Sequence, residues 1–281
     1  MTNTPDDALR QSQRQTHSQS VVGPEVSDDT AEACCPLVEL RHYTLKPGRR
    51  DELIALFEEH FIESQEQCGM RVIGHFRQLD DPDAFIWLRG FATMEQRRQA
   101  LEGFYSGPLW REHRTAANDT MLDSDNVLLL KPVDDTTRFR VQPSDRPAPE
   151  ATEQGESDRG LVVATTYAFA APVDTAFTRF FAAEVVPVAR EAGATLRAQF
   201  VTEPSANTFP VLPVREGEHV FVWFASFTGE EAYAAYQAVL SQSQQWRSLT
   251  RQLQGWLSQP EDVLVLTPCR RSLLRHRSSF A

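Results

Sequence analysis

Hydrophobic positions along the chain follow two patterns, one of period two and one of helical spacing. From Val38 to Leu45 apolar and polar residues alternate as in a strand. From Asp51 to Gln67 apolar residues recur every three or four positions, as on one face of a helix. Gly69 then stands where helices commonly end. Residues 70–78 and 85–91 return to the pattern of strands.

A second helix is predicted after Thr93, followed by a last strand at residues 127–132. Gln96 lies three residues after Thr93, the spacing of a capping box at a helix N-terminus. Thr228 and Glu231 show the same spacing later in the chain. The predicted order is therefore strand, helix, strand, strand, helix, strand.

The second half of the chain repeats the first. Residues 85–93 (FIWLRGFAT) align with residues 221–229 (FVWFASFTG) at an offset of 136, and Trp110 aligns with Trp246 at the same offset. Upstream the offset is 124, because Tyr43 aligns there with Tyr167. Agreement over several separate segments identifies an internal duplication.

The change in offset places an insertion of 12 residues in the second copy, around residues 204–218. Its three prolines predict a long loop. The whole chain is then divided as follows: a polar, disordered N-terminal tail at 1–35, a first domain at 36–133, a linker at 134–159, a second, diverged domain at 160–268 and a basic tail at 269–281. We interpret the basic tail as a solvated chain end.

Each copy predicts an α+β fold of the ferredoxin-like type, βαββαβ, in which both helices cover one face of a four-stranded antiparallel sheet. The other face needs a cover of its own. We expect the two tandem domains to supply it to each other, as an intramolecular pair that resembles a barrel and whose interior could hold a ligand. Closure of the barrel by the chain's own second domain leaves open whether further copies assemble.

Composition restricts the partners. The formal net charge of −11 would repel a phosphate backbone, so we expect no nucleic-acid partner. No apolar run approaches the ~20 residues of a membrane span, and the N-terminus lacks the apolar segment of a signal peptide. We therefore expect a cytoplasmic protein whose cysteines are reduced thiols, including the neighbours Cys34 and Cys35.

Period two divides each strand of the first copy between two faces. One face is apolar, with Val38, Leu40 and Leu88, and we expect the helices to cover it. The opposite face combines charged and aromatic side chains and is expected to line the barrel interior. Its members are Glu39, Arg41, Tyr43, Arg71, Ile73, His75, Arg77, Phe85, Trp87 and Arg89.

The second copy retains the aromatic residues of that face, Tyr167, Phe221 and Trp223, but has lost its charges. The replacements are Val163 for Glu39, Thr165 for Arg41, Gln199 for His75 and Ala225 for Arg89. This asymmetry places the candidate site in the first copy.

Guanidinium groups bind carboxylate or phosphate in a forked geometry and stack on aromatic rings. We therefore predict an anionic, partly aromatic small molecule as the partner. The predicted substrate-binding residues are Glu39, Arg41, Arg77, Trp87 and Arg89. The alternative is that Glu39 and carboxylates of the second copy pair with these arginines in an ordinary core.

Tyr43 and His75 are the candidate catalytic residues. Tyr43 could act as an acid or oxyanion donor beside Arg41, and His75 as a general base. Either side chain would look the same if it were only a hydrogen-bonded core residue. His75 could also ligate haem iron, so haem stays a minor alternative, although no cofactor is required.

Several motifs of other chemistries are absent from the sequence. It contains no Gly-rich phosphate loop, no GxSxG, no HExxH and no CxxC. We therefore predict no metal site.

Residues 39–48 (ELRHYTLKPG) and 85–91 (FIWLRGF), with the later Arg97, the pair Phe104-Tyr105 and Trp110, resemble the NIPSNAP family. The resemblance covers about one hundred residues of the first copy, and the second copy shares only its Tyr, its Trp and its closing strand. It implies the dimeric α+β barrel, which two such domains close. Relatives in that superfamily include cofactor-free monooxygenases, haem-dependent enzymes and isomerases, so the resemblance implies architecture more than a reaction.

Three functional hypotheses follow. The first is an enzyme, or enzyme-like accessory protein, that acts on an anionic small molecule at the inner sheet face of the first domain. The second is a non-catalytic ligand-binding or protein-interaction module with a packed interdomain core. The third is a haem-binding protein.

Overall fold

The computed structural model describes residues 33–150 and 160–276. Most of the predicted N-terminal tail, part of the linker and the last residues of the basic tail lie outside these ranges. In the first repeat the strands are β1 (Leu37–Leu45), β2 (Arg71–Gln78), β3 (Ala84–Phe91) and β4 (Met121–Pro132), and the helices are α1 (Arg50–Leu56), α2 (Ile62–Gln67), α3 (Met94–Ser106) and α4 (Pro108–Asp119).

The second repeat has the same order. Its strands are β5 (Leu161–Ala168), β6 (Thr195–Thr202), β7 (Val220–Phe227) and β8 (Asp262–Pro268), and its helices are α5 (Thr175–Phe180), α6 (Val186–Glu191), α7 (Glu230–Gln242) and α8 (Gln244–Gln254). None of the helices in the described ranges has the length and apolarity needed to cross a membrane.

The strands form one closed antiparallel barrel in the order β1-β3-β2-β8-β5-β7-β6-β4. Within each repeat the order is that of a ferredoxin-like sheet. The two sheets join edge to edge, where Arg77 of β2 pairs with Thr267 of β8 and Lys131 of β4 pairs with Val201 of β6. This confirms the predicted fold class, two tandem ferredoxin-like units that form an intramolecular barrel.

The assignment of the sheet faces was wrong. A single buried cluster draws residues from all eight strands and contains no residue of α1–α8, so it fills the barrel interior. That cluster includes Val38, Leu40 and Leu88, which the sequence analysis placed under the helices. Tyr43 and Trp87, expected inside the barrel, instead pack with helix residues of the first repeat.

The physical reason for the reversal lies in what can reach each face. Both faces of the sheet are buried, so hydrophobicity alone does not show which one the helices cover. The barrel interior is filled by apolar side chains of the strands, of the segment between the repeats and of the C-terminal tail, so an unpaired polar group there would remain desolvated and unsatisfied. The helix side can supply polar partners from helical side chains, as Gln65 does for Arg89.

A β-bulge in β2 changes which residues share a face. Opposite β3, Val72 pairs with Arg89 but Gly74 pairs with Leu88, so Ile73 is the extra residue. Val72 therefore lies with the helices and Ile73 in the barrel interior, the reverse of strict alternation. The second repeat has a register shift at the equivalent point of β6.

The first helix of each repeat is interrupted by one π-helical segment, Phe57–Phe61 in the first repeat and Phe181–Val185 in the second. The two segments align at the offset of 124 found in the sequence. A π-turn adds a residue to the helix and rotates the side chains after it, and such turns are frequent at functional sites.

One of the two predicted helix caps is present. Thr93 is the N-cap of α3, and its side chain accepts a hydrogen bond of 3.1 Å from the backbone N–H of Gln96. In the second repeat the N-cap of α7 is Gly229, which makes no side-chain cap, so the cap predicted at Thr228 was wrong.

The segment between the repeats closes part of the barrel. Phe139 is fully buried there, and its ring centroid lies 5.0 Å from that of Phe200 and 4.9 Å from that of Phe224. Residues 134–150 are therefore partly core, and the barrel interior is filled by side chains rather than by a ligand space.

Cys34 and Cys35 form a disulfide with each other, contrary to the expectation of reduced thiols. Cys34 donates its backbone N–H to the carbonyl oxygen of Phe139 at 2.8 Å, which ties the pair to the buried segment. Gly90 faces the pair, and a Cβ atom there would lie 2.4 Å from the Cys35 sulfur. Only glycine leaves room for this arrangement.

The basic tail is not a solvated end over its described part. Leu273 and Leu274 belong to the barrel core. Arg271 is 2% exposed, pairs with Glu63 and donates to the backbone oxygen of Glu58 at 2.6 Å. The described part of the tail therefore packs against the first repeat.

Candidate functional site

One buried carboxylate organises the space between the sheet and the helices of the first repeat. Glu39 of β1 accepts hydrogen bonds from Arg41 at 2.7 Å, from Arg89 at 2.7 Å and from Arg97 at 2.6 Å. All four residues are buried, none more than 1% exposed. We call this group the Glu39 cluster.

The local structure explains why these residues meet. Glu39 and Arg41 are two apart on β1 and so point to the same face, and Glu39 lies directly opposite Arg89 on β3. Arg97 comes from α3, on the same helical face as Ala100 and Leu101, which are buried. The cluster therefore joins two strands to one helix.

The charges in the cluster do not balance. Three guanidinium groups share one carboxylate, an excess of two positive charges. Among the described residues no second carboxylate pairs with any of the three arginines. Burial alone would raise the pKa of Glu39, but the charges of Arg89, Arg41 and Arg97 outweigh it and hold that pKa well below 4.5. Glu39 is therefore a permanent anion.

Several donors in the Glu39 cluster and next to it lack an acceptor. The Nη2 atoms of Arg89 and Arg97 and the indole Nε1 of Trp87 are buried and make no hydrogen bond to the described residues. Leaving a buried charged donor unpaired costs more than the ~1–3 kcal/mol of a neutral one. These atoms could therefore bind an anionic or oxygen-rich ligand.

Tyr43 adds an uncharged phenol to the site. Arg41 donates its Nε–H to the Tyr43 hydroxyl oxygen at 2.9 Å. Burial raises the pKa of Tyr43 above 10, and Arg41 opposes that shift without reversing it. The phenol accepts the bond from Arg41 and keeps its own proton, so it can donate to a second partner.

Aromatic rings surround the guanidinium groups. Arg89 lies 5.0 Å and Arg41 5.6 Å from the centroid of the Trp87 ring, within the range of cation–π attraction. The hydroxyl of Tyr105 lies 3.5 Å from Nη1 of Arg89. The site thus combines a cationic group with stacking surfaces.

A small cavity of about 40 Å³ lies beside the cluster. Its lining is mostly aromatic and includes Tyr43, Phe57, Trp87, Tyr105 and Trp110. A space of this size holds a few water molecules. It is too small for an aromatic ligand unless a neighbouring element moves.

A loop of the second repeat covers the cluster. The predicted insertion lies between β6 and β7, and in the structure Arg97 donates from Nη1 to Asn207 at 3.0 Å and to Thr208 at 3.2 Å. The ring of Phe209 stacks on that of Tyr105 with a centroid distance of 6.0 Å. The second repeat therefore contributes residues to the site of the first.

His75 lies on the helix side but belongs to a different network. Its Nε2 is 2.9 Å from Glu58, which also accepts the backbone N–H of Arg271 at 3.0 Å. Burial lowers the pKa of His75 from 6.5, although Glu58 opposes the shift. Burial would raise the pKa of Glu58, but His75 and the tail hold it at about 2. His75 is not among the residues that line the cavity.

This environment does not fit haem ligation by His75. The ring is fully buried, its Nε2 is bonded to Glu58, and the ring of Phe57 lies 5.2 Å away. Its other nitrogen, Nδ1, makes no hydrogen bond to the described residues, but His75 does not line the cavity beside the cluster. Axial ligation needs a nitrogen that faces a space as large as the macrocycle. Over the described ranges no group of three or more His, Cys, Asp or Glu side chains is arranged to hold a metal ion.

The structure separates the predicted site residues into two groups. Glu39, Arg41, Tyr43, Trp87 and Arg89 come together under the helices rather than inside the barrel, which corrects the sheet face predicted for them. Arg77 does not join them, because it pairs with Asp51 near the surface.

Sequence reasoning missed Arg97 and Gln65 as site residues. Gln65 accepts from Arg89 at 3.3 Å and is 1% exposed. Both residues stand on the apolar face of an amphipathic helix, where a long polar side chain is unusual. That signal was present in the sequence and could have identified them.

The family comparison gives one match. The NIPSNAP family model matches residues 38–136, which hold the first repeat and the whole Glu39 cluster. None of the curated proteins matches the chain.

Some solved structures of similar fold align with both repeats and others with about a third of the chain. A proposed monooxygenase from Fusobacterium nucleatum is 8% identical with a TM-score of 0.50, and the alignment covers 87% of this chain and 99% of that one. A NIPSNAP family protein from Agrobacterium tumefaciens is 23% identical with a TM-score of 0.33, and covers 35% of this chain and 86% of its own. An uncharacterized NIPSNAP domain protein from Burkholderia xenovorans is 17% identical with a TM-score of 0.32, over 34% and 94% of the two chains.

The match covers the repeat that carries the charged cluster, and the fold it implies is the one observed. The first repeat is therefore a NIPSNAP domain, and the chain carries it in tandem with a second, diverged copy of the same α+β fold.

Proposed function

We propose that the first repeat binds the anionic group of a small, partly aromatic organic molecule at the Glu39 cluster. The observation that carries this proposal is the charge excess, three buried guanidinium groups around one carboxylate. Two of these groups have an unpartnered Nη2 atom. One of them, Arg89, contacts Trp87 and Tyr105, which line the aromatic cavity. A carboxylate or phosphate would neutralise the excess and accept from those atoms.

The same geometry supports an enzyme-like role. Tyr43 is a neutral phenol held by Arg41, so it can donate a proton or hydrogen bond to an oxygen of the bound molecule. The arginines would stabilise negative charge that develops on that oxygen. Because the surroundings are buried, these interactions are less screened than they would be in water.

The test uses benzoate, with the neutral benzamide as a ligand of nearly equal shape. Titration calorimetry on the wild type is compared with Arg41→Met and Arg89→Met, which remove one charge each while they keep much of the side-chain volume. A charge-assisted hydrogen bond contributes about 1.5–3 kcal/mol. We expect each substitution to weaken benzoate binding roughly 10- to 150-fold and benzamide to bind weakly throughout.

The matched control is Thr165→Val, at the position of the second repeat that is equivalent to Arg41. It should leave benzoate binding unchanged. Circular dichroism and thermal unfolding show whether each variant is folded. Equal binding of benzoate and benzamide, or benzoate binding that survives both arginine substitutions, would contradict the proposal.

One observation favours a second candidate, a purely structural cluster. Every arginine of the cluster contacts Glu39, and the cavity is small. On that hypothesis the Glu39 cluster only stabilises the core of the first repeat, and the protein is a non-catalytic binding or interaction module. Absence of binding across a panel of aromatic carboxylates would support it.

A further inference from the structure

The loop between β6 and β7 of the second repeat has no helix or strand from residue 203 to residue 219. It nevertheless reaches the first repeat at several points. Besides the bonds of Arg97 to Asn207 and Thr208, the hydroxyl of Thr208 donates to the backbone oxygen of Met94 at 3.2 Å. Arg215 donates its backbone N–H to the oxygen of Val127 at 2.8 Å.

These contacts are of a kind that a ligand can replace. Asn207 and Thr208 offer neutral oxygens to the charged Arg97. A carboxylate or phosphate would add the attraction between two full charges, which is strong in a buried site. Such an anion would therefore compete with both loop residues for Arg97. The stack of Phe209 on Tyr105 is a surface contact of two partly exposed rings.

Access to the site also requires movement. The cavity of about 40 Å³ cannot admit an aromatic ring. Strands β1 and β3 and helix α3 are held by ladder hydrogen bonds and by the buried cluster itself. The loop packs against the first repeat through two partly buried side chains, Phe209 and Leu212. Its opening therefore breaks fewer buried contacts than a movement of the strands would.

We propose that residues 203–219 of the second repeat are a lid over the site of the first, held shut because Asn207 and Thr208 occupy Arg97 in place of an anion. The second repeat, in which uncharged residues replace Glu39, Arg41 and Arg89, thereby controls entry to the site of the first. The identity of the entering molecule rests on the proposed function, but the closure of the loop on Arg97 does not.

The decisive variant is Asn207→Asp, which keeps the shape of the side chain and places a charge against Arg97. It exchanges the neutral bond from Asn207 Nδ2 to the backbone oxygen of Leu212 for an ion pair with Arg97, the stronger interaction. An ion pair would hold the loop shut more firmly. The double variant Asn207→Ala/Thr208→Ala removes both acceptors and should release it. Val211→Asp adds the same charge to the same loop, but Val211 is 79% exposed, so it serves as the control.

Limited trypsin cleavage after Arg215 measures opening without any ligand, because Arg215 is the only Lys or Arg between residues 203 and 219. We expect cleavage at least threefold slower in Asn207→Asp and at least threefold faster in the double alanine variant. Val211→Asp should match the wild type. Benzoate should associate at least threefold more slowly with Asn207→Asp than with the wild type.

The outcomes separate the two proposals. Cleavage rates that are equal in all four proteins, or slowed as much by Val211→Asp as by Asn207→Asp, would overturn the lid. Cleavage that follows the expected order supports the lid even if no protein binds benzoate. Equal affinity of the wild type for benzoate and benzamide would count against the proposed function but not against the lid.

Discussion

The two repeats share one fold but fill the space between sheet and helices with opposite chemistry. In the first repeat this space holds the Glu39 cluster. In the second, the equivalent positions of Glu39, Arg41 and Arg89 are Val163, Thr165 and Ala225. Val163 and Ala225 belong to an apolar cluster with helix residues of the second repeat.

The backbone does not account for this difference. Both repeats have the π-helical segment in the first helix and the register shift in the second strand. Tyr43 and Trp87 also have counterparts, Tyr167 and Trp223, in the same positions. The fold therefore provides the same enclosed space twice, and a few side chains decide whether it is a cationic site or ordinary core.

The largest expected difference between the repeats is in stability. Glu39→Gln keeps the shape of the side chain but leaves three buried guanidinium groups without a carboxylate. Removing one partner from a buried ion pair costs about 3–5 kcal/mol. The free energy of unfolding, measured in urea, should fall by that amount. Val163→Thr, the matched change in the second repeat, should cost about 1 kcal/mol, as an average core substitution does.

Equal losses in the free energy of unfolding would show that the charges of the Glu39 cluster contribute no more to stability than an ordinary core side chain does.

The dependence of stability on acid pH provides a further check, because the pKa of Glu39 is lowered in the folded protein. Its contribution is present above the ordinary carboxyl pKa and is lost as the pH falls toward the folded value. The wild type should therefore lose stability below about pH 4.5, and Glu39→Gln should lose less.

The next effect concerns His75, whose counterpart in the second repeat is Gln199. Burial lowers the pKa of His75, so near pH 6.5 the unfolded chain binds a proton that the folded protein does not. The free energy of unfolding should therefore fall with decreasing pH, by up to about 1.4 kcal/mol per pH unit from this residue. His75→Gln should make the dependence between pH 6.5 and 5.0 shallower by that amount. Parallel stability curves for the two proteins would mean that His75 titrates alike in both states.

The fold could be predicted from the sequence because it is encoded in patterns that extend over many residues. The duplication, the order of the elements and the loop insertion are each supported by many residues. Alternation also grouped Glu39, Arg41 and Trp87 correctly on one face. Trp87 packs with helix residues, Arg41 contacts both Glu39 and the Trp87 ring, and Glu39 pairs with Arg97 of α3.

Sequence reasoning failed where the prediction depended on what covers each face of the sheet. Alternation cannot say which of two buried faces the helices cover, so the site was placed inside the barrel. A single bulged residue, Ile73, then reversed the alternation within β2. Arg97 and the loop residue Asn207 come from elements far apart in sequence, and only the fold brings them together.

The smallest expected effect is the contribution of a single hydrogen bond of the site to stability. Arg41 and Tyr43 are joined at 2.9 Å, whereas at the equivalent pair, Thr165 and Tyr167, the described residues show no such bond. A double-mutant cycle isolates the pairwise contribution. Arg41→Met, Tyr43→Phe and the double variant should give a coupling energy of about 1.5 kcal/mol, the low end of the range for a hydrogen bond with one charged partner.

The same cycle in the second repeat, with Thr165→Val and Tyr167→Phe, should give less than about 0.5 kcal/mol, since sites without a shared interaction add nearly independently. Both couplings come from urea unfolding of folded variants. A coupling of equal size in the two repeats would mean that neighbouring side chains on any strand of this barrel interact to that extent. The two repeats would then differ in the charges between sheet and helices, and the hydrogen bond from Arg41 to Tyr43 would not contribute to that difference.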